Sequence, residues 1–255
     1  MKRCFKIRKI LVILFWLGLW GAAAHYINKP VLLPSPIHVF ARIFTLFTIG
    51  DFWLITTLSL TRITVGIVVS ILLGVVLALI TVRSAFFSDL LSPIQTVTKV
   101  TPVASFILLV LIWLDRDLVP SVISGIMVLP VIWNNTAEGL RNIDNNLLEM
   151  ANSYNIKRRI KLKRIVLPSI MPYFLSALRT SIGIGWKAGI AAEVLTVPTL
   201  SIGKMIAESK SYMETVDLFA WTMVVIFISL IIEKLLIASI NKSSIKYFGK
   251  VGGYD

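Results

Sequence analysis

Residues 52–82 are apolar almost end to end, and the run is longer than the roughly 20 residues a helix needs to cross a hydrocarbon core. Lipid offers no partners for backbone donors and acceptors, so such a stretch reads as a membrane-spanning helix. Five further apolar runs, 10–27, 90–114, 118–136, 169–197 and 218–240, repeat the pattern. With 56% hydrophobic and 15% charged residues and a mean hydropathy of +0.84, the chain belongs with polytopic membrane proteins rather than soluble domains. The expected fold is an all-α membrane protein of six transmembrane helices in one domain, 1–255, with no internal repeat.

A net charge of +13 could suggest a nucleic-acid partner, but its placement argues against one. The basic residues gather near the first span, in 142–168 and after Lys234. Seventeen lie at the ends and loops of one side, against five (Lys29, Arg42, Arg116, Lys204, Lys210) on the other. That asymmetry predicts a cell-membrane protein with both termini in the cytoplasm. Cys4 is the only cysteine, so no internal disulfide can form. His25, in the last turn of the first span, and His38, beyond it, read as surface residues, which makes a histidine metal site unexpected.

Between the spans, 29–36 holds three prolines that break the helix. The following 37–49 is too short to cross and predicts an amphipathic helix at the outer surface. Gly66, Ser70, Gly74 and Ala78 recur every four residues, predicting close helix packing within the chain. The first half of the third span carries Gln95, Thr96, Thr98, Lys99, Thr101 and Ser105, and so should face protein or water. In the fifth span Ser181, Gly185, Gly189 and Glu193 share one face, and Arg179 and Lys187 add charges costing about 3 kcal/mol each at mid-bilayer. That helix is expected at the centre of a bundle. A short helix is expected at 202–212.

The longest polar segment, 142–168, carries Lys157, Arg158, Arg159, Lys161, Lys163 and Arg164 within eight positions. It predicts two short helices around a break. Asp144 or Asn145 can cap the first, and Leu147, Leu148, Met150, Ala151 and Tyr154 form its apolar flank. Asn155 can close it in the left-handed conformation. A basic helix then runs to Leu167, and Pro168 suits the first turn of a new one.

Glu149, Ala151, Asn155, Ile165, Leu167 and Pro168 resemble the cytoplasmic "EAA" loop of ABC importer permeases, with Met150 in place of an Ala and Asn155 in place of the Gly. The likeness extends over nearly the whole chain, through LLPSPIHVF, TPVASFILLVLIWL and the run from Leu167 to Glu193, and is to permeases of the sulfonate/taurine/nitrate importer type. The resemblance implies an uncleaved first helix and a coupling hairpin between the fourth and fifth spans. It also implies two ATP-binding subunits, a second permease copy and an extracytoplasmic solute-binding protein. ATP and Mg would be bound by the partner ATPase, with no cofactor in this chain, which has no G-x-x-x-x-G-K-[ST] loop and is not expected to be an enzyme.

For the solute path, Lys99, Thr101, Ser105, Arg179, Lys187 and Glu193 are the candidates. Should the solute be an anion, Lys99, Arg179 or Lys187 could attract it; against that, Lys187 could form a buried ion pair with Glu193 or Glu138, which is the preferred reading. A sulfonate, a nitrate-like anion and a vitamin precursor are all compatible with the resemblance. The competing class is an ion-coupled secondary transporter or channel, for which the same charges would serve as a relay.

Overall fold

The computed structural model describes residues 2–248. Lys250 lies outside the described residues, as do the side chains of Lys99, Lys242 and Lys246. The elements are α1 (Lys2–Ile27), α2 (Pro36–Thr48), α3 (Gly50–Arg83), α4 (Ala85–Val100), α5 (Val103–Trp113), α6 (Val119–Arg141), α7 (Asn145–Ser153), α8 (Arg158–Lys161), a π-turn (Leu162–Val166), α9 (Leu167–Thr196), α10 (Ile202–Ser211) and α11 (Thr215–Phe248). Five helical segments are long and apolar enough to cross a membrane, and a sixth if α4 and α5 count as one broken span. The chain divides into two compact units, 1–59 with 197–228 and 60–196 with 229–255.

In the larger unit, α3, α6 and α9 meet where side chains are smallest. A Cβ added at Gly185 would lie 2.8 Å from Val128 Cγ2 and 2.9 Å from Ile67 Cγ1, and one at Gly189 would lie 2.6 Å from Ile63 Cγ1. Gly66 faces the Ser121 carbonyl and Gly125 faces Ser70, so the four-residue stripe on α3 is an internal packing surface, as its spacing predicts. Ser121 Oγ donates to the Arg62 carbonyl at 2.7 Å, and Trp133 Nε1 donates to Thr81 Oγ1 at 3.0 Å. Arg62 and Asp117 close a 3.0 Å ion pair. Ile107, Val119 and Ile123 pack with Ala188 and Ala192, which brings α5 onto the α6–α9 pair.

The third span is not one straight helix. Its two halves, α4 and α5, bend by 106° at Thr101–Pro102. Pro102 lacks a donor and holds Thr101 in an extended conformation (φ −75°, ψ 130°), so the helical ladder stops there. A second departure is at Pro168. No new helix starts there, because α8, the π-turn and α9 form a continuous helical segment, Arg158–Thr196. Within it the Leu167 amide bonds the Leu162 carbonyl, five residues back. That wider turn sits where the proline ring would otherwise crowd the preceding carbonyls.

In the smaller unit, Ser35 caps α2 by accepting from the His38 amide. Val39, Ile43 and Leu46 make its buried face, the amphipathic pattern expected for this segment. Arg42 grips Asp217 through two bonds of 2.6 and 2.7 Å, and this hydrogen-bonded pair pushes the guanidinium pKa further up. Phe52 stacks on Trp221 at 5.4 Å, and the Ile202 amide donates to Ser59 Oγ at 2.9 Å. The short α10 lies where the sequence places it.

Candidate functional site

In the segment 142–168, α7 is followed, after the break at 154–157, by the continuous helical segment that begins at Arg158. Asp144 caps α7, accepting from the Asn146 amide at 2.8 Å. At the other end Asn155 takes φ 48°, the left-handed conformation that Asn tolerates better than most residues. The Ile156 amide bonds the Ala151 carbonyl at 2.9 Å and the Asn155 amide bonds the Asn152 carbonyl at 3.0 Å, the paired bonds of a Schellman termination. Lys161 Nζ donates to Asn152 Oδ1 at 2.9 Å, which ties the second arm to the first. At the stem, Asn142 Nδ2 donates to Tyr173 Oη at 3.1 Å.

One side of α7 is anchored and the other is open. Ala151 is fully buried and Leu148 is half-buried, whereas Leu147, Glu149, Met150 and Tyr154 are exposed. An apolar strip of Leu147, Met150 and Tyr154 beside a carboxylate is therefore presented outward. Ile165 and Pro168 are half-buried in the following helical turns, and Leu167 is exposed. They belong to the rod that continues into α9 rather than to the open flank.

Further along that rod, Arg179, Gly183, Trp186 and Lys187 line one face of a cavity of about 250 Å³, with Ser229 and Glu233 of α11 across from them. The positions i, i+4, i+7 and i+8 fall on one side of a helix, which is why residues spread over two turns share the space. Arg179, Lys187 and Glu233 are exposed to the cavity side of the chain, but Trp186 is only 3% exposed, and its Nε1 has no hydrogen-bond partner. Lys187 makes no ion pair with Glu193 or Glu138 among the described residues. Glu193 is fully buried and Lys187 points from an exposed position, so the preferred ionic contact does not form.

A second cavity, about 540 Å³, is lined by Ser88, Ser92 and Gln95 of α4 and by Asn134, Glu138 and Arg141 of α6. The opposite face of α4 exposes Phe86, Leu90, Ile94 and Val97. The helix thus turns its polar side to a polar space, as the composition of that half-span requires. Thr96, Thr98 and Thr101 take no part, since their hydroxyls bond carbonyls of their own helix.

Of the six candidate path residues, the structure brings Arg179 and Lys187 together. Thr101 is engaged with the Val97 carbonyl at 2.7 Å, Ser105 is exposed on α5, and Glu193 sits in the packed core. Glu233 escaped sequence reasoning because the surrounding span is so apolar. A lone carboxylate in a membrane segment was the available signal. The spacing of Ser88, Ser92 and Gln95 at i, i+4 and i+7 was another.

Residues 70–242 match the family described as the binding-protein-dependent transport system inner membrane component. The chain is 24% identical over 221 residues to the taurine transport system permease protein TauC of Escherichia coli, spanning 84% of this chain and 80% of that one. It is 31% identical over 150 residues to the nitrate import permease protein NrtB of Leptolyngbya laminosa, 58% of this chain and 53% of that one. A chain in the crystal structure of a bacterial alginate ABC transporter, in complex with an alginate pentasaccharide-bound periplasmic protein, matches with a TM-score of 0.60 over 99% of this chain and 98% of that one. At 15% identity that likeness shows the fold.

Proposed function

The chain belongs to the family of inner membrane components of binding-protein-dependent transport systems, and from that premise we propose that it forms the solute path of an ATP-driven importer and draws its energy from separate ATPase subunits. The observation that carries this reading is the unbroken helix Arg158–Thr196, which joins the 142–168 hairpin to the cavity holding Arg179 and Lys187. At ~1.5 Å per residue, its 39 residues make a rod of roughly 58 Å. A push on the hairpin is passed along this helical segment to the cavity wall, through the π-turn at 162–166 and past Pro172.

In this account the hairpin lies in the cytoplasm, in keeping with the basic asymmetry of the loops, and both termini lie on the same side. Leu147, Met150 and Tyr154 seat in a groove of the ATPase, Glu149 supplies a charged anchor, and ATP with Mg is bound by that partner. Two such subunits, a second permease copy and an outside solute-binding protein complete the assembly. The solute is a small anion. Relatives named for taurine, aliphatic sulfonates, nitrate and bicarbonate support this class, as do the two cations facing the cavity. One relative is named instead for formylaminopyrimidine transport.

Affinity purification of the detergent-solubilised chain from its native cells, with and without Glu149→Arg, tests the reading. Mass spectrometry is expected to find an ATPase subunit with the unaltered chain and to lose it with the variant. If no ATPase accompanies the chain, the ion-coupled alternative replaces this one.

A further inference from the structure

We propose that the cleft between α1 and α2, in the smaller unit, binds one phospholipid of net negative charge, with an acyl chain along α1 and the phosphate at Lys29, His25 and His38. The proposal rests on α1 crossing the membrane and is independent of the importer reading. The cleft has a volume of about 920 Å³, toward the top of the range of about 300–1,000 Å³ typical of ligand sites. Leu14, Leu17, Gly18, Gly21, Ala24 and His25 line it at i, i+3, i+4, i+7, i+10 and i+11, a single stripe of the helix. Ile37 and Phe40 of α2 add apolar wall. At Gly18 and Gly21 nothing lies within 4 Å of where a Cβ would stand, so the space beside α1 is open along its middle.

The length of the stripe argues for a lipid rather than a helix. From Leu14 to His25 is eleven residues, ~16 Å at ~1.5 Å each, close to half of a ~30 Å hydrocarbon core. One acyl chain fills that depth, whereas a helix of a second copy would need a groove running the length of the span. Polarity then changes along the cleft as it does along a phospholipid. The end toward Leu14 is apolar, and the other end gathers His25, Asn28, Lys29, Ser35 and His38, with no acidic residue among the described lining. Lys29 makes no ion pair among the described residues and brings three donors. His38 Nδ1 lies 3.0 Å from Ser35 Oγ, which leaves Nε2 for an occupant. A zwitterionic headgroup would bring its own cation to this cluster, whereas a net negative one would not.

The mouth of the cleft is built by the chain itself. Asn28 takes φ 47° and its amide bonds the Ala24 carbonyl at 3.1 Å, which ends the helical run and turns the chain at Lys29. The Lys29 carbonyl accepts from the Leu32 and Leu33 amides at 2.9 and 3.1 Å, and Thr215 Oγ1 donates to the Val31 carbonyl at 2.6 Å. Pro34 is fully buried beneath this turn. The basic rim is therefore held in place before any lipid arrives.

The test places the purified full chain in phosphatidylcholine nanodiscs with a minor fraction of phosphatidylglycerol that carries a photoreactive diazirine on its acyl chain, and maps the adducts by peptide mass spectrometry. Adducts are expected to gather on 14–21 and to be displaced by unlabelled phosphatidylglycerol. A phosphatidylcholine bearing the same diazirine should label these residues about fivefold less. Lys29→Gln removes the lysine charge from an exposed turn and should also reduce phosphatidylglycerol labelling about fivefold. Gly21→Leu fills the open space and should reduce labelling by either lipid without lowering the melting temperature, since leucine is the better helix former. Labelling of 14–21 that is equal for the two lipids, or indifferent to both substitutions, overturns the proposal. So does the absence of adducts on 14–21, the result expected were protein rather than lipid to cover the cleft.

Discussion

Two glycines on α9, six residues apart, should respond oppositely to the same methyl group. At Gly189 a Cβ would stand 2.6 Å from Ile63 Cγ1, 2.9 Å from its Cδ1 and 3.1 Å from its Cγ2, and Ile63 is fully buried. At Gly183 nothing lies within 4 Å. Replacing a mid-helix glycine by alanine brings a conformational gain of ~0.5–1 kcal/mol, which is common to both sites and cancels between them. What remains at Gly189 is overpacking of a filled core, typically ~1–3 kcal/mol. Gly183→Ala should therefore melt at or above the unaltered chain, and Gly189→Ala below Gly183→Ala by that difference. Thermal unfolding of the detergent-solubilised proteins, followed by tryptophan fluorescence, measures it. Equal melting of the two variants would refute the close approach of α3 to α9.

Asn155→Gly should preserve ATP-driven uptake, whereas Asn155→Val forces a β-branched residue to φ 48° at ~1–3 kcal/mol and should lower uptake in proteoliposomes. Trp133→Phe removes the donor to Thr81 and should destabilise by ~1 kcal/mol in the same melts, since Thr81 keeps its bond to the Leu77 carbonyl. Arg42→Met breaks a partly exposed bidentate pair and should cost ~1 kcal/mol, less at high salt. Because Asp217 pushes the Arg42 pKa upward, the pair's contribution is complete at neutral pH and is lost on the alkaline side as pH rises through the raised value. The difference from the unaltered chain should thus stay constant from about pH 7 to about pH 10. Lys187→Met should reduce solute transport while leaving ATP hydrolysis by the assembled complex, and unchanged transport would remove Lys187 from the path.

What was legible in the sequence was whatever a single helix decides for itself. The four-residue recurrence of Gly66, Ser70 and Gly74, and of Ser181, Gly185 and Gly189, names a packing face without naming the partner. Asn155 announced its left-handed turn because few other side chains suit it. Relations between elements were hidden. Thr101–Pro102 bends the third span, although an average over apolar residues reads straight through it. Pro168 looks like a helix start until a π-turn before it lets the helix run on. Lys187 has two carboxylates within plausible sequence reach and forms an ion pair with neither, because the packing that buries Glu193 leaves Lys187 facing a cavity. Glu233, on another helix, completes that cavity and could be placed there only in three dimensions.

Docking of the exposed strip of α7 on a separate ATPase is tested by cross-linking from Leu147→Cys in the native membrane with a short thiol-reactive cross-linker. The expected product is an adduct whose second component is an ATP-binding subunit, formed in the complex and absent when Glu149→Arg is added. A Leu147→Cys chain that stays fully open to a small thiol label from the cytoplasmic side, and yields no ATPase adduct, would contradict it.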